Sequence, residues 1–135
     1  MDKSRLELAK YRLEKAFDCL EVSQLSMDNG YYADSANRSY YAIFHAARSV
    51  MALDAQDRRK HSGVMAYFRE NYIKTNILDR KLSDIIQDAF QIRQISDYED
   101  FIVLSYKDVE DQLADARYFC REVNEYVMKR IAENI

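Results

Sequence analysis

The sequence contains no proline and only two glycines, Gly30 and Gly63. Hairpins and tight turns depend on the backbone freedom of one of these residue types and the fixed φ of the other. An all-β fold is therefore disfavoured, and the chain is expected to be all-α. With 135 residues and 48% hydrophobic content, it can bury one core but is short for two ordinary domains. Residues 1–135 are read as a single domain. Apolar spacing places helices at about residues 2–27, 30–51, 62–74 and 76–93, with a last helix opening at Ser105. The expectation is an up-and-down helical bundle of four main helices plus one short helix. Segment 95–104 has no single period and reads as a crossover, with Phe101, Val103 and Leu104 anchored in the core.

The stretch 30–51 has two different faces. At about 100° per residue, Ala33, Ala36, Tyr40, Ile43, Phe44, Ala47, Val50 and Met51 share roughly a third of the circle. That is a core face, with alanines where a neighbouring helix must come close. The opposite face carries Asp34, Arg38, Tyr41, His45 and Arg48. A merely solvated face more often carries Lys and Glu. This one holds two arginines and one of the chain's two histidines, residues that bind phosphate and move protons.

The first helix has an inward stripe of Leu6, Ala9, Leu13, Ala16, Phe17 and Leu20, and stops at Asp28-Asn29-Gly30. So short a connection implies that the next helix packs antiparallel to it. Arg58-Arg59-Lys60-His61 is either a solvated loop or an anion contact near a helix start. Val64, Met65, Phe68 and Tyr72 are the inward residues of the short helix. Asn76 with Asp79 is read as the next helix start, and Leu78, Leu82, Ile85, Ile86, Ala89, Phe90 and Arg93 follow at helical spacing. Ser105 with Asp108 resembles a capping box.

The formal net charge of −3 argues against a binder that uses its whole surface for nucleic acid, but leaves room for a small basic site. Cys19 and Cys120 lie in helical patterns and are expected to be reduced core thiols of a cytoplasmic protein. No apolar run reaches the ~20 residues of a membrane span. There is no CxxC, HExxH or glycine-rich phosphate loop, and neither histidine has Glu three residues before it. No metal and no other cofactor is expected.

Three motifs now stand in order. They are Gly-Tyr-Tyr-x-x-Ala-x-Asn-Arg-Ser-Tyr-Tyr-Ala-Ile-Phe-His-Ala-Ala-Arg (residues 30–48), Lys60-His61-Ser62-Gly63-Val64, and Arg93-Gln94-Ile95-Ser96-Asp97-Tyr98. Together they resemble the small stand-alone HEPN-domain proteins of prokaryotes. The resemblance implies an all-α, up-and-down bundle that is commonly a homodimer. It also implies two roles: a metal-independent endoribonuclease, and the toxin of a toxin–antitoxin pair encoded beside a minimal nucleotidyltransferase. The nuclease signature of that superfamily is Arg, four to six residues, then His. Arg38 and His45 fit it, with six residues between. At Arg93 the histidine position is filled by Tyr98, so a site there would lack its general acid/base. The Arg-x4-His-x-Tyr arrangement of toxins modified by their nucleotidyltransferase partner is absent as such.

Cleavage through a 2′-hydroxyl needs groups that take and give a proton, and positive charge on the phosphorane. Arg38 and His45 are the candidate catalytic pair on those grounds. Seven residues of helix rise by about 10.5 Å, so direct contact within one helix is not expected. A bridging phosphate or a two-fold axis would be needed to join them; a half-buried histidine at a helix contact is the simpler reading of His45. Arg93, His61, Tyr98 and Arg48 are candidate phosphate- or nucleotide-binding residues. Asp97 and Tyr41 are expected to support the site, Asp97 by pairing with Arg38 or, alternatively, with Arg93. Two functions remain open: a protein that binds RNA or a nucleotide, acting as or derived from a ribonuclease toxin, and a non-catalytic dimeric module that docks a minimal nucleotidyltransferase.

Overall fold

The computed structural model describes residues 2–98 and 103–134. Those residues form five α-helices and no strand. The helices are α1 (Lys3–Asp28), α2 (Tyr32–Leu53), α3 (His61–Phe68), α4 (Lys81–Tyr98) and α5 (Tyr106–Glu133). A π-helical turn, Arg69–Ile73, continues α3. The expected four long helices and one short one are all present.

Local chemistry sets most boundaries. Asp2 caps α1 by accepting from the Ser4 N–H at 3.0 Å. Gly30, at φ +82°, makes the left-handed turn into α2. Ser105 and Asp108 close a reciprocal capping box at the start of α5.

The sequence reading needs correction around α4. This helix starts at Lys81, whose N–H bonds the Asp79 carboxylate at 3.0 Å. Asn76 is no cap: it takes a left-handed φ of 62° in the preceding turn. Nor does the helix stop near Arg93. It runs to Tyr98, and an Arg93–Asp97 pair one turn apart supports the added turn. Val103 is 87% exposed rather than anchored, whereas Leu104 packs partly on the core. Phe101 lies outside the described residues. Phe17 and Phe90, both read as inward, are partly exposed.

α2 is the centre of the bundle. It packs on α1, α3, α4 and α5, and most extensively along α1. Its burial exceeds one face, because Ser35, Ser39, Ala42, Ala46 and Ser49 are covered as well. Small side chains permit this close approach. At the α1–α2 seam, Ser23 Oγ lies 2.9 Å from the Ser35 carbonyl and 2.8 Å from Ser39 Oγ. This satisfies polar atoms that no water reaches. On the α5 side, Gln112 Nε2 donates to the Ala36 carbonyl at 3.1 Å. Asp54, at the C-terminus of α2, accepts two bonds from Arg130 of α5 at 2.8 and 3.1 Å and one from the Tyr72 hydroxyl. That contact aims the π turn inward. Cys19 and Cys120 are both free and buried. No helix among the described residues is long and apolar enough to cross a membrane.

Candidate functional site

Three elements meet around the His61 ring. Mid-helix α2 presents Tyr40, Tyr41, Phe44, His45 and Arg48 at one- and two-turn spacing. The first residue of α3 is His61 itself, and α4 contributes Arg93. The ring of His61 lies 4.1 Å from that of Phe44 and 5.6 Å from that of Tyr41, centroid to centroid. The Arg93 guanidinium sits 4.6 Å over the Tyr40 ring and 5.4 Å from that of Tyr41. The aromatic faces hold the cation in place through their ring quadrupoles.

One hydrogen bond fixes the state of His61. Arg93 Nη1 lies 3.1 Å from His61 Nδ1, and an arginine can only donate. Nδ1 must therefore be unprotonated, which puts the ring proton on Nε2. Tyr40, buried and read as plain core, directs its hydroxyl at the same Nδ1 from 3.4 Å. Burial, Arg93 and Arg48 lower the His61 pKa in that order. His61 is thus a neutral hydrogen-bond donor at neutral pH.

The Arg38/His45 pair is not assembled within one chain. Arg38 is exposed on α2, beside the Cys19 thiol of α1. His45 lies two turns on, and its cationic neighbours are Lys15, Arg48 and Arg12. Burial first, then those cations, push its pKa down to about 4. Its Nδ1 is buried without a partner. Of the two rival partners for Asp97, the structure selects Arg93, at 3.3 Å. Tyr41 packs between His45 and His61, 6.1 and 5.6 Å from their rings. The Tyr98 side chain lies outside the described residues.

Arg48 is joined by residues that periodicity did not single out. Asp57 accepts from its Nη2 at 2.8 Å and from its Nε at 3.2 Å. Arg12 of α1, buried at 8% exposure, reaches the Arg48 carbonyl at 3.1 Å and Asp57 at 3.4 Å. Burial would raise the Asp57 carboxyl, but bonds from Arg48 and from the Arg58 N–H overcome it and hold the pKa low. The signal for Arg12 was a charge set among Ala9, Leu13 and Ala16 on the inward stripe. Gly63 lets the loop close down here: a Cβ would meet that of Arg58 at 3.2 Å.

These groups line an open recess of about 430 Å³ formed by Phe44, Arg48, Asp57, Arg58, Arg59 and His61. A smaller apolar slot of about 190 Å³ adjoins it at His61, between Tyr40, Met65, Ile86 and Phe90. The recess offers the guanidinium N–H groups of Arg48, Arg58 and Arg59 that Asp57 and Gln56 do not take, and an imidazole N–H, a donor set for phosphate oxygens. It offers no charged imidazole to act as general acid at neutral pH. Among the described residues no group of three His, Cys, Asp or Glu side chains could hold a metal ion.

A stability test follows from the histidines. Both have folded pKa values below the ordinary 6.5, so the unfolded chain takes up protons first as the pH falls. The stability that neutral His45 confers is complete above 6.5 and is lost progressively toward about 4. Urea unfolding should therefore show a smaller loss between about pH 7 and pH 5 for His45→Gln than for the wild type. Identical slopes would mean that His45 is free to ionise in the fold.

Comparison with known proteins gives one family match, described as "HEPN domain", over residues 9–126. "Putative toxin MJ0142" of Methanocaldococcus jannaschii is 30% identical over 118 residues, 87% of this chain and 80% of that protein. A "UPF0332 protein" of Thermotoga maritima is 25% identical over 121 residues, 90% of this chain and 92% of that protein. "Putative toxin MJ0605" of M. jannaschii is 28% identical over 86 residues, 64% of each chain.

Proposed function

Because the chain belongs to the HEPN domain family, we propose that it binds RNA through the basic recess at His61, with the RNA phosphates as the groups recognised. One observation carries the reading. The bond from Arg93 to His61 Nδ1 leaves His61 with an N–H on Nε2, beside a recess that also holds Arg48, Arg58 and Arg59. A phosphate there meets donors only, apart from Asp57, which is already engaged by Arg48 and Arg12. Tyr40 and Phe44 are buried beneath Arg93 and His61; Tyr41, half-buried, is the ring of the three on which a base can stack. Two relatives carry the name "Putative toxin". Carried to this chain, that name suits a protein whose target is an essential RNA.

The test is titration of labelled single-stranded RNA in EDTA. We expect saturable binding whose affinity falls with salt, with a log–log slope of about −2 for three phosphate contacts. His61→Ala should weaken binding. RNA that stays free at low salt, or binding indifferent to His61, would overturn the reading. Cleavage in the same tubes, lost in His45→Ala, would extend it to a ribonuclease.

The outer face of α1 favours a second copy of the chain as partner. Leu8, Tyr11, Lys15, Asp18, Val22 and Leu25 form one exposed stripe. Two α1 helices packed antiparallel about a two-fold axis between residues 16 and 17 would set Leu8 against Leu25 of the partner subunit. Tyr11 would meet Val22 of the partner subunit, and Lys15 would meet Asp18 of the partner subunit. An isologous interface requires this self-complementarity. Since Lys15 neighbours His45 and Cys19 neighbours Arg38, the same axis would carry Arg38 of the partner subunit toward His45. Sedimentation should give a dimer for the wild type and a monomer for Leu25→Glu; a monomeric wild type at all concentrations would sink the idea.

A further inference from the structure

The slot beside His61 differs in kind from the basic recess. It runs between α3, with its π-helical continuation, and α4. Ser62, Met65, Ala66 and Arg69 recur at helical spacing along one side, and Ile86, Gln87 and Phe90 along the other. Its floor is closed, because Tyr40, Met65 and Ile86 are buried. The Phe90 ring, 42% exposed, and the exposed Ala66 methyl are the apolar surface a ligand can reach. His61, Ser62, Gln87 and Arg69 supply polar groups around them.

Arg69 is held in place across the slot. Its Nε donates to Ser83 Oγ of α4 at 3.0 Å, and its Nη2 donates to the Ser83 carbonyl at 3.2 Å. Nη1, with two N–H groups of its own, is left over. The residue also opens the π turn, where its carbonyl accepts from the Lys74 N–H at 2.9 Å. Such turns within helices recur at functional sites. A guanidinium anchored at two points is a pre-set donor, which a freely solvated surface arginine is not.

Size and connection identify the occupant. At about 190 Å³ the slot is smaller than the roughly 300 Å³ at which sites for drug-sized ligands begin. It takes one flat group and no whole nucleotide. His61 lines both the slot and the recess, so a group tethered to a phosphate in the recess enters the slot past the same ring. A nucleobase has the matching surface, a π face for Phe90 and a polar edge for the donors.

We propose, on the strength of the RNA reading, that the slot takes one nucleobase of the bound strand, packed on Phe90 with its edge met by Arg69 Nη1. Arg69 and the Nε2 of His61 can only donate, whereas Ser62 and Gln87 can do either. The base edge with two adjacent acceptors, O6 and N7 of guanine, fits this donor excess best.

The test is filter binding of labelled decaribonucleotides to the intact protein. The strands are oligoadenylate, oligocytidylate, oligouridylate, an alternating guanine–uracil strand and an abasic ribose-phosphate strand. Wild type is compared with Phe90→Leu, Arg69→Gln and Tyr31→Ala, the last removing an exposed ring outside the slot. Phe90 is exposed and leucine keeps its apolar contact, so the Tm of Phe90→Leu should hold. Wild type should bind the guanine–uracil strand tightest, and Arg69→Gln should lose that preference. Phe90→Leu should weaken the base-bearing strands about tenfold and leave the abasic strand unchanged, since its phosphates still meet the recess. Tyr31→Ala should bind as wild type does. The proposal is overturned if Phe90→Leu weakens no strand, if it weakens the abasic strand equally, or if wild type binds all four base-bearing strands alike. Binding that depends on His61 but not on Phe90 sinks this inference alone; RNA that does not bind at all sinks the RNA reading with it.

Discussion

Arg93→Ala is expected to weaken RNA binding about ten- to a hundredfold, the loss of one or two charge-assisted hydrogen bonds. The guanidinium does two things at once. It places a positive charge directly behind His61, and it holds the proton of His61 on Nε2 by donating to Nδ1 at 3.1 Å. Without it, the His61 ring is free to place its proton on Nδ1 and turn an acceptor toward the phosphate. Arg93→Lys should recover little, because an ammonium has no planar fork and stacks poorly on Tyr40 and Tyr41. The Tm should move little, since Arg93 is partly exposed and its salt bridge to Asp97 is of the weak, solvent-screened kind. Filter binding of labelled RNA by wild type, Arg93→Ala and Arg93→Lys reads this out. Equal affinities in all three would place the RNA elsewhere on the protein.

The second large effect is on stability. Phe119→Ala is expected to cost about 3–5 kcal/mol, since truncating a buried Phe loses transfer energy and leaves a cavity. Phe119 of α5 is fully buried, and its ring centroid lies 5.4 Å from that of Phe68, the last residue of α3. Val64 and Met65 of α3 and Val123 and Val127 of α5 are buried as well, on helices held by their own contacts, which limits collapse into the hole. For a chain of this size the Tm should fall by roughly 10–20 °C. Thermal unfolding by circular dichroism measures it, and a fall under about 3 °C would show that the site repacks freely. Solvent-facing Tyr31→Ala, on a residue 64% exposed, is the control that should change little.

Much of this fold could be read along the chain. A sequence with two glycines and no proline has few ways to turn, and the apolar period was clear in every long helix. Both ends of α1 and the capping box of α5 rest on residues within three or four positions, so local chemistry sufficed. The reading failed where two local signals competed at the ends of one helix. Asn76 and Asp79 both look like caps, but only Asp79 meets the N–H of Lys81. The last turn of α4 was missed because its support, Arg93 with Asp97, resembled a break in apolar spacing rather than an ion pair.

The candidate site divides in the same way. Periodicity separated Tyr41, His45 and Arg48 from the apolar stripe of α2, and charge marked Arg58 to His61 as a basic loop. Helical spacing gives an angle about an axis, and no more than that. It could not say that Arg38 stands beside Cys19 while His61 crosses to Phe44 at 4.1 Å. It could not choose between Arg38 and Arg93 for Asp97, or find Arg12 and Asp57 behind Arg48. The sequence by itself determined the helices and their buried stripes, because those depend on neighbours within one or two turns. Tertiary structure alone decided which charges meet and which histidine nitrogen keeps its proton. Those depend on residues such as His61 and Arg93, 32 positions apart, which only the packing of α3 and α4 against α2 brings to hydrogen-bonding distance.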